Sequence, residues 1–241
     1  MSDTVIYVRD MVKRYGRFVA NDHLSFDVRK GEIFGFLGAN GAGKTTALRI
    51  LCGLSKPTSG DIRVAGFDIY TETEKIKKRI GYMSQRFSLY DDLTVMENIR
   101  FFAGIYGMPR KAIEERSAKM LDKIKFSHSA HTLIRDLPLG WKQKLAFSIA
   151  IFHDPAIVFL DEPTGGVDPI TRRQFWMMIY ETAHSGITVF VTTHYMDEAE
   201  YCDRVSIMES GRIEALDTPL KLKQQYQQAH MADVFYKIAR K

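Results

Sequence analysis

Long apolar runs are absent from this sequence. No uninterrupted apolar segment approaches the roughly 18 to 20 residues that a membrane-spanning helix needs, and the N-terminus lacks the basic-then-apolar order of a secretory leader. The most apolar stretch, residues 145–160, is interrupted by His153-Asp154-Pro155. We therefore expect a cytosolic protein with no membrane span of its own.

Cysteine is scarce, and charge of one sign does not dominate. The 241 residues include only Cys52 and Cys202, whose spacing fits no metal site, so we expect both to be structural in a reduced compartment. The net charge of +5 comes from dispersed Lys and Arg residues, which favours a solvated surface over a nucleic-acid interface. No internal repeat or low-complexity tract is present. The 45% hydrophobic and 26% charged content is that of an ordinary globular protein, so disorder is not expected.

A glycine-rich loop between a strand and a helix is the most informative feature that is present. Residues 38–46 follow the apolar run 33–37 and lead into a helix that should end near Gly53. Their spacing matches the P-loop, whose backbone N–H groups converge on phosphate oxygens at a helix N-terminus. Lys44 is expected to reach the β and γ phosphates, and the Thr45 hydroxyl to bind Mg²⁺. The expected nucleotide-binding residues of this loop are Gly38, Asn40, Gly41, Ala42, Gly43, Lys44, Thr45 and Thr46.

Two acids follow a strand that should be buried on both faces. The apolar run 156–160 delivers Asp161 and Glu162 at its carboxyl end. In P-loop ATPases an acid at the first position helps to hold Mg²⁺, and the next carboxylate can accept a proton from the attacking water. Solvated loop acids are the alternative, which the P-loop upstream disfavours.

Three further polar or aromatic residues lie where a nucleotide site could use them. Gln85 ends a strand, and its amide offers both a donor and an acceptor, which suits a residue that bridges Mg²⁺ or water. His194 follows the β-branched run 187–192 and can contact a γ-phosphate or the hydrolytic water. Tyr15, beside a glycine turn, could stack on a base. Each also has an ordinary interpretation as a loop polar residue, a satisfied histidine or a hairpin aromatic.

The order of elements predicts an α/β protein with two additions. Alternating apolar residues over 5–28 predict paired strands that begin a sheet, and residues 94–129 have helical periodicity. We expect a single domain in which residues 1–87 and 154–216 form the nucleotide-binding core. Residues 88–153 would be a helical subdomain, and 217–241 a helical tail.

The sequence resembles the ATPase domain of ABC transporters, because it contains that domain's motifs in the same order. These are Tyr15, the P-loop, Gln85, the helical insert, Leu160-Asp161-Glu162-Pro163-Thr164, Asp168 and Thr193-His194. The resemblance covers residues 5 to about 216. It implies a P-loop NTPase core of ABC ATPase type with an N-terminal antiparallel β subdomain and an inserted α-helical subdomain. It also implies ATP and Mg²⁺ as ligands, and a dimer that encloses two ATP molecules.

The resemblance assigns a role to each matching residue. Tyr15 would stack on the base, and Gln85 would sense both Mg²⁺ and the membrane partner. Asp161 would be the Walker B acid that holds Mg²⁺, Glu162 the catalytic base and His194 the switch histidine. Asp168 would belong to the loop that crosses the dimer interface.

The signature segment departs from the family pattern. Leu137-Pro138-Leu139-Gly140 stands where the family has Leu-Ser-Gly-Gly, so a hydroxyl donor is missing at Pro138 and Leu139 hinders a close backbone approach. The helix N-terminus with the amides around Gly140 remains available to a phosphate. Pro138, Leu139 and Gly140 are therefore still expected to contact nucleotide. Weaker ATP-driven closure than in a relative with the full signature is predicted, unless a partner domain supplies one.

Residues 165–169 and 193–200, with a short tail containing Asp233-Val234-Phe235, resemble the ATPases of ABC-2 type exporters. The function expected from this resemblance is an ATP-hydrolysing subunit on the inner face of the cell membrane. Its partners would be membrane permease subunits and a second ATPase domain, in a homodimer or a heterodimer. Two alternatives are an ABC-type ATPase acting on nucleic acid or the ribosome, and a regulatory subunit that hardly hydrolyses ATP. A P-loop GTPase is disfavoured because the sequence has no Asn-Lys-x-Asp run.

Overall fold

The structure is a computed structural model that describes residues 4–85 and 89–239. Within these residues the strands form a four-stranded and a six-stranded sheet. The strands are β1 (Thr4–Tyr15), β2 (Phe18–Arg29), β3 (Ile33–Gly38), β4 (Ser59–Val64), β5 (Phe67–Asp68), β6 (Ile80–Met83), β7 (Ile157–Asp161), β8 (Thr188–Thr193), β9 (Arg204–Glu209) and β10 (Arg212–Asp217).

Helices of the described residues lie between these strands and after them. They are α1 (Lys44–Leu51), α2 (Thr73–Lys77), α3 (Val95–Ile105), α4 (Arg110–Lys123), α5 (Leu139–Ala150), α6 (Pro169–His184), α7 (Pro219–Tyr226) and α8 (Met231–Ala239). None of them is both long and apolar enough to cross a bilayer.

The smaller sheet is antiparallel, with the strand order β2-β1-β4-β5. β1 and β2 pair along most of their length and are joined at Gly16, whose φ of +58° suits a tight turn. The alternating apolar residues of both strands point into the core, as in Ile6, Val8, Leu24 and Phe26. The expected N-terminal antiparallel subdomain is therefore confirmed.

The larger sheet has the order β10-β9-β3-β8-β7-β6 and contains the expected parallel core. β3, β7 and β8 are buried at every position, as continuous apolar runs require. Because β3, β6, β7 and β8 are parallel, their carboxyl ends meet at one edge of the sheet. That edge receives the P-loop, Gln85, the two acids and His194.

Helices α3, α4 and α5, here called the helical insert, are buried around their own apolar cluster, which includes Val95, Ile99, Leu121 and Leu145. Thr94 begins α3 with a capping box, in which it exchanges hydrogen bonds with Glu97. α5 packs closely on β6, since a Cβ on Gly81 would lie only 1.9 Å from the Ala150 carbonyl oxygen. α5 of the insert thus lies directly against β6, the strand that precedes Gln85.

The segment after β8 and the tail are both helical. Residues Met196–Tyr201 form a 3-10 helix. The tail is helical in α7 and α8, with Val234 and Ile238 buried. The division into core, subdomain and tail stays a prediction, and its boundary at 87/88 lies outside the described residues.

Candidate functional site

Glycine is required at defined positions of the loop between β3 and α1. Gly41 and Gly43 have φ values of +83° and +100°, and a Cβ on Gly43 would lie 2.4 Å from the Ala20 carbonyl oxygen. A Cβ on Gly38 would lie 2.5 Å from the Met208 carbonyl oxygen. α1 begins at Lys44, and the first N–H groups of a helix have no acceptor within it. Ala42, Gly43, Lys44, Thr45 and Thr46 therefore surround an anion-binding helix start, with Asn40 on the loop before it.

A buried amide supports this loop from behind. Asn21, on β2, is fully buried, and its Nδ2 donates to the Gly43 carbonyl oxygen at 3.1 Å. The Gly211 N–H donates to the Ala42 carbonyl oxygen, also at 3.1 Å. Asn21 was not predicted from the sequence, because a single Asn within a strand gives no local sign that it is buried and hydrogen-bonded.

Replacing Asn21 by Ala should weaken ATP binding about tenfold, because the loss of one hydrogen bond frees Gly43 to leave its left-handed conformation. Calorimetric titration of the folded variant with ATP measures the effect. A matched control is Ser206→Ala, which removes another fully buried polar group, whose Oγ has no hydrogen-bond partner among the described residues. An unchanged ATP affinity in Asn21→Ala would contradict this role.

The first acid, Asp161, lies buried beside the P-loop helix. Its Oδ1 accepts hydrogen bonds from Thr192 Oγ1 at 2.7 Å and from Thr45 Oγ1 at 3.2 Å. Burial raises the pKa of Asp161, and these two hydrogen bonds oppose the rise. Thr192 was not singled out from the sequence, because a threonine in a β-branched strand gives no local signal of a polar role.

The oxygens of Thr45 and Asp161 fit a magnesium ion. Mg²⁺ prefers oxygen ligands, and proteins commonly hold it with one or two carboxylates while phosphate and water complete the shell. The described residues contain no cluster of three or more His, Cys, Asp or Glu that could bind a metal by itself. Gln85, the third expected ligand, hydrogen bonds to Glu162 rather than to Asp161.

The side chain of the second acid, Glu162, lies close to three other residues of the expected site, His194, Gln85 and Lys44. Its Oε2 accepts hydrogen bonds from His194 Nδ1 at 3.0 Å and from Gln85 Nε2 at 3.1 Å. Its Oε1 lies 3.6 Å from Lys44 Nζ, and its side chain is only 9% exposed. The backbone N–H of Glu162 is held by Thr192 Oγ1, which fixes the carboxylate against the end of β8. Four residues that are far apart in sequence thus form one polar cluster.

Lys44 is the buried cation of this cluster. Its Nζ donates to the carbonyl oxygens of Gly38 at 2.8 Å and Ala39 at 3.0 Å. Burial lowers the pKa of Lys44, whereas the negative charges of Glu162 and Asp161 oppose this shift. An ammonium group has three donors, so one remains for Glu162 or for an arriving phosphate oxygen.

Tyr15 lies at the tip of the β1–β2 hairpin and is 54% exposed. Lys13 Nζ lies 4.8 Å from its ring centroid. Phe18, which pairs with Tyr15 across the hairpin, is 65% exposed and was not singled out from the sequence. The hairpin therefore presents two aromatic rings to solvent, and the base-stacking role of Tyr15 stays a prediction.

The signature segment and Asp168 lie together at a second site, apart from loop 38–46. Pro138, Leu139 and Gly140 line a pocket of about 400 Å³ together with residues 166–168, and none of its lining residues belongs to loop 38–46. Pro138 is the N-cap of α5 and makes no side-chain capping hydrogen bond. Gly140 packs on α6, since a Cβ there would lie 2.8 Å from Thr171 Cγ2.

Asp168 is held as the N-cap of α6. Its carboxylate accepts hydrogen bonds from the Ile170 and Thr171 N–H groups and from the Thr171 hydroxyl. The hydrogen bond from the Thr171 side chain is the main cause that lowers the pKa of Asp168. Asp168 therefore orders the turn that faces the signature segment.

A family model described as "ABC transporter" matches residues 21–165. The probable multidrug ABC transporter ATP-binding protein YbhF of Escherichia coli (strain K12) is 48% identical over 223 residues, which is 92% of this chain and 39% of the relative. The Nod factor export ATP-binding protein I of Ralstonia nicotianae is 36% identical over 222 residues, which is 92% of this chain and 69% of the relative. This chain thus spans well under half the length of the first of these relatives.

Solved structures with the same fold are ATP-binding cassettes. An ATP-binding subunit of an ABC transporter superposes with a TM-score of 0.88 at 26% identity, covering 98% of this chain and 99% of that one. A dimeric ATP-binding cassette in a post-hydrolysis state with ADP and Pi superposes with a TM-score of 0.80 at 25% identity, covering 88% of this chain and 98% of that one. The fold class expected from the sequence is thereby confirmed.

Proposed function

The chain belongs to the ABC transporter family, and we propose that it binds ATP and hydrolyses it to power export through separate membrane subunits. One observation carries the proposal: the Glu162 carboxylate is in reach of Lys44, His194 and Gln85, beside the Thr45–Asp161 pair. This arrangement offers a base, a cation and oxygen ligands at the start of a phosphate-binding helix.

In the proposed binding step, the backbone N–H groups of loop 38–46 receive the phosphates. The Lys44 ammonium moves from the Glu162 carboxylate to a phosphate oxygen. Its hydrogen bonds to the Gly38 and Ala39 carbonyl oxygens keep it in place. Thr45 and Asp161 would hold Mg²⁺ with Gln85, and the ion supplies charge neutralisation on the β and γ phosphates when bound. Tyr15 stacks on the base.

In the proposed hydrolytic step, Glu162 accepts a proton from the water that attacks the γ-phosphate. Once Lys44 has turned to the phosphates, the carboxylate keeps its contacts with His194 and Gln85, which orient it. Lys44 stabilises the charge that develops on the transferring phosphoryl group. His194 lies next to the base and contacts the water or the γ-phosphate.

ABC cassettes form dimers, and we infer that this chain pairs with a second cassette. The pocket between Pro138–Gly140 and Asp168 is the surface that would meet the partner's nucleotide. A small hollow lined by Tyr82, Leu89, Phe102 and Tyr106 lies between β6 and the helical insert, and we propose that this face of the insert contacts a membrane subunit. Because Gln85 follows β6 by two residues, movement of this part of the insert would be passed to the nucleotide site.

We propose that the chain works at the inner face of the cell membrane and powers export. The proposal rests on the family and on the relatives, whose names are those of transport proteins. These names do not favour the nucleic-acid alternative. A weakly hydrolysing regulatory subunit is the second candidate, because Pro138 leaves α5 without a capping hydroxyl.

Phosphate release separates these two functions. The chain is purified with its membrane subunits from detergent-solubilised membranes, and ATP hydrolysis is measured with Mg²⁺ and with excess EDTA. Sustained turnover that EDTA abolishes is expected. ATP binding without turnover in the complete complex would support the regulatory alternative.

Restoring the family signature tests the composite site. The variant Pro138→Ser, Leu139→Gly should strengthen ATP-driven dimerisation about tenfold, because a hydroxyl adds a charge-assisted hydrogen bond to phosphate. Sedimentation with ATP in the Glu162→Gln background, where hydrolysis is suppressed, measures the dimer. A partly buried α5 residue outside this segment provides the control, Lys142→Ala, which removes an ion pair with Asp91. No change in dimerisation in this background, or in turnover when Glu162 is retained, would count against the predicted weakness.

A further inference from the structure

A fully buried carboxylate outside the residues discussed so far joins three segments around the site. Glu198 lies in the 3-10 helix Met196–Tyr201 and is 0% exposed. Its Oε1 accepts a hydrogen bond from Thr164 Oγ1 at 2.5 Å, and its Oε2 accepts one from Thr193 Oγ1 at 2.6 Å. Both threonines are themselves buried. Because a buried carboxylate is costly unless it is paired, this arrangement is a built feature of the fold.

The two threonines flank the hydrogen bond between the proposed base and the histidine. Thr164 lies two residues after Glu162, at the start of the segment that leads to Asp168. Thr193 directly precedes His194, and its hydroxyl also accepts a hydrogen bond from the Tyr195 N–H at 3.0 Å. The Glu198 carboxylate is therefore hydrogen-bonded to Thr164, which follows Glu162 in the chain, and to Thr193, which precedes His194.

The alternation of side chains along β8 explains how this is possible. Successive strand residues point to opposite faces, so Thr192 and Thr193 serve different partners. Thr192 donates to Asp161, and Thr193 donates to Glu198. The carboxyl end of β8 is thus hydrogen-bonded to an acid on each face of the strand, to Asp161 through Thr192 and to Glu198 through Thr193.

Arg172 connects the same carboxylate to α6. Its Nε lies 3.7 Å from Glu198 Oε1, and its guanidinium lies 4.2 Å from the centroid of the Tyr195 ring. The Tyr195 ring in turn lies 4.2 Å from the ring of His194. Because Asp168 is the N-cap of α6, Arg172 lies in the first turn of the helix that follows this residue.

We propose that Glu198 is a positioning residue that, through Thr164 and Thr193, sets the geometry between Glu162 and His194 for ATP hydrolysis. It contacts no part of the proposed nucleotide site directly and acts through its neighbours. Through Arg172 and Thr164 it also couples the Asp168 turn to His194. The inference rests on the proposed ATPase function and adds to it residues that set the rate of the chemical step.

Two variants remove the contacts with little change of volume. Thr193→Val deletes one hydroxyl, and Glu198→Gln leaves one accepting oxygen for two hydroxyl donors. Each should lower kcat for ATP about 10- to 100-fold, since small displacements of reacting groups have effects of this size. KM for ATP should stay within about threefold, because uniform binding of ATP is retained. Thr193→Ser, which keeps the hydroxyl, should recover most of the rate.

The chain offers a matched control on the same strand. Thr188 is the first residue of β8, is fully buried, and accepts a hydrogen bond from the Gly31 N–H at 3.0 Å. Thr188→Val therefore perturbs a comparable buried hydroxyl at the opposite end of the strand. We expect it to lower the melting temperature about as much as Thr193→Val while kcat is unchanged. An equal fall of kcat in both variants would show a merely structural effect and overturn the proposal.

A double-mutant cycle gives the second readout. If Thr193 acts through His194, then Thr193→Val should have little further effect on single-turnover hydrolysis in a His194→Ala background. Two effects that multiply independently would overturn the proposal. Thr193→Val decides the case if Glu198→Gln does not fold, because valine preserves the buried shape of threonine.

The wild-type chain separates this inference from the proposed function. If the wild-type complex does not hydrolyse ATP, the proposed function itself fails. If it hydrolyses ATP and both Thr193→Val and Glu198→Gln retain the wild-type kcat, only the positioning role fails.

Discussion

Replacing Glu162 by Gln should abolish most ATP turnover while ATP binding is retained. General base catalysis contributes about 10²- to 10⁴-fold to a rate, so kcat should fall by a factor in that range. Glu162 also lies 3.6 Å from Lys44, where it competes with phosphate for the ammonium. The variant should therefore bind ATP as tightly as the wild type, or more tightly. Single-turnover hydrolysis and equilibrium titration measure the two quantities.

A surface glutamate provides the control for this variant. Glu181, on α6, is exposed and pairs with Lys123 at 2.9 Å. Glu181→Gln makes the same chemical change away from the cluster and should leave kcat unchanged. Normal hydrolysis by Glu162→Gln would remove Glu162 from the role of base, and a loss of ATP binding instead would assign it to binding.

Replacing Lys44 by Met should have the opposite profile, with the main loss in nucleotide binding. Methionine keeps the buried aliphatic volume but removes the charge and the three donors. Hydrogen bonds from a charged donor contribute about 1.5–3 kcal/mol each, so losing the phosphate contacts should raise Kd for ATP roughly 10²-fold or more. Calorimetric titration with Mg²⁺ and ATP measures this change.

Lys75 makes the matching control, because its exposed ammonium pairs with Glu72 at 2.8 Å away from the loop. Lys75→Met should bind ATP as the wild type does. Circular dichroism should show that both variants are folded. If Lys44→Met retained wild-type affinity, the loop would not be the phosphate site, whatever its spacing suggests.

The residues of the site that could be predicted are those carried by local patterns. The loop 38–46, the acids after β7 and the histidine after β8 each follow a buried strand, and parallel strands bring their carboxyl ends together. The structure places Glu162 in contact with Lys44, Gln85 and His194 in just this way. Strand burial and loop spacing are properties of neighbouring residues, so the sequence alone carries them.

The residues that escaped prediction depend on contacts between distant segments. Asn21, on β2, donates a hydrogen bond to the Gly43 carbonyl oxygen, and Glu198 accepts hydrogen bonds from Thr164 and Thr193. Nothing in the periodicity of β2 or of residues 197–201 indicates these partners. Apolar spacing also does not show that the segment of Glu198, Met196–Tyr201, forms a 3-10 helix rather than an α-helix, because the segment is so short. Side-chain hydrogen bonds across the fold can be found only once the fold is known.

The most direct test of the account is the fate of bound ATP in a single turnover. The wild-type chain, in complex with its membrane subunits and Mg²⁺, is mixed with substoichiometric γ-labelled ATP and sampled over time. The account predicts that the wild-type complex converts the bound ATP to ADP and free phosphate, whereas Glu162→Gln holds it intact. Recovery of unbound, unchanged ATP from the wild-type complex would contradict the claim that this chain binds and hydrolyses ATP.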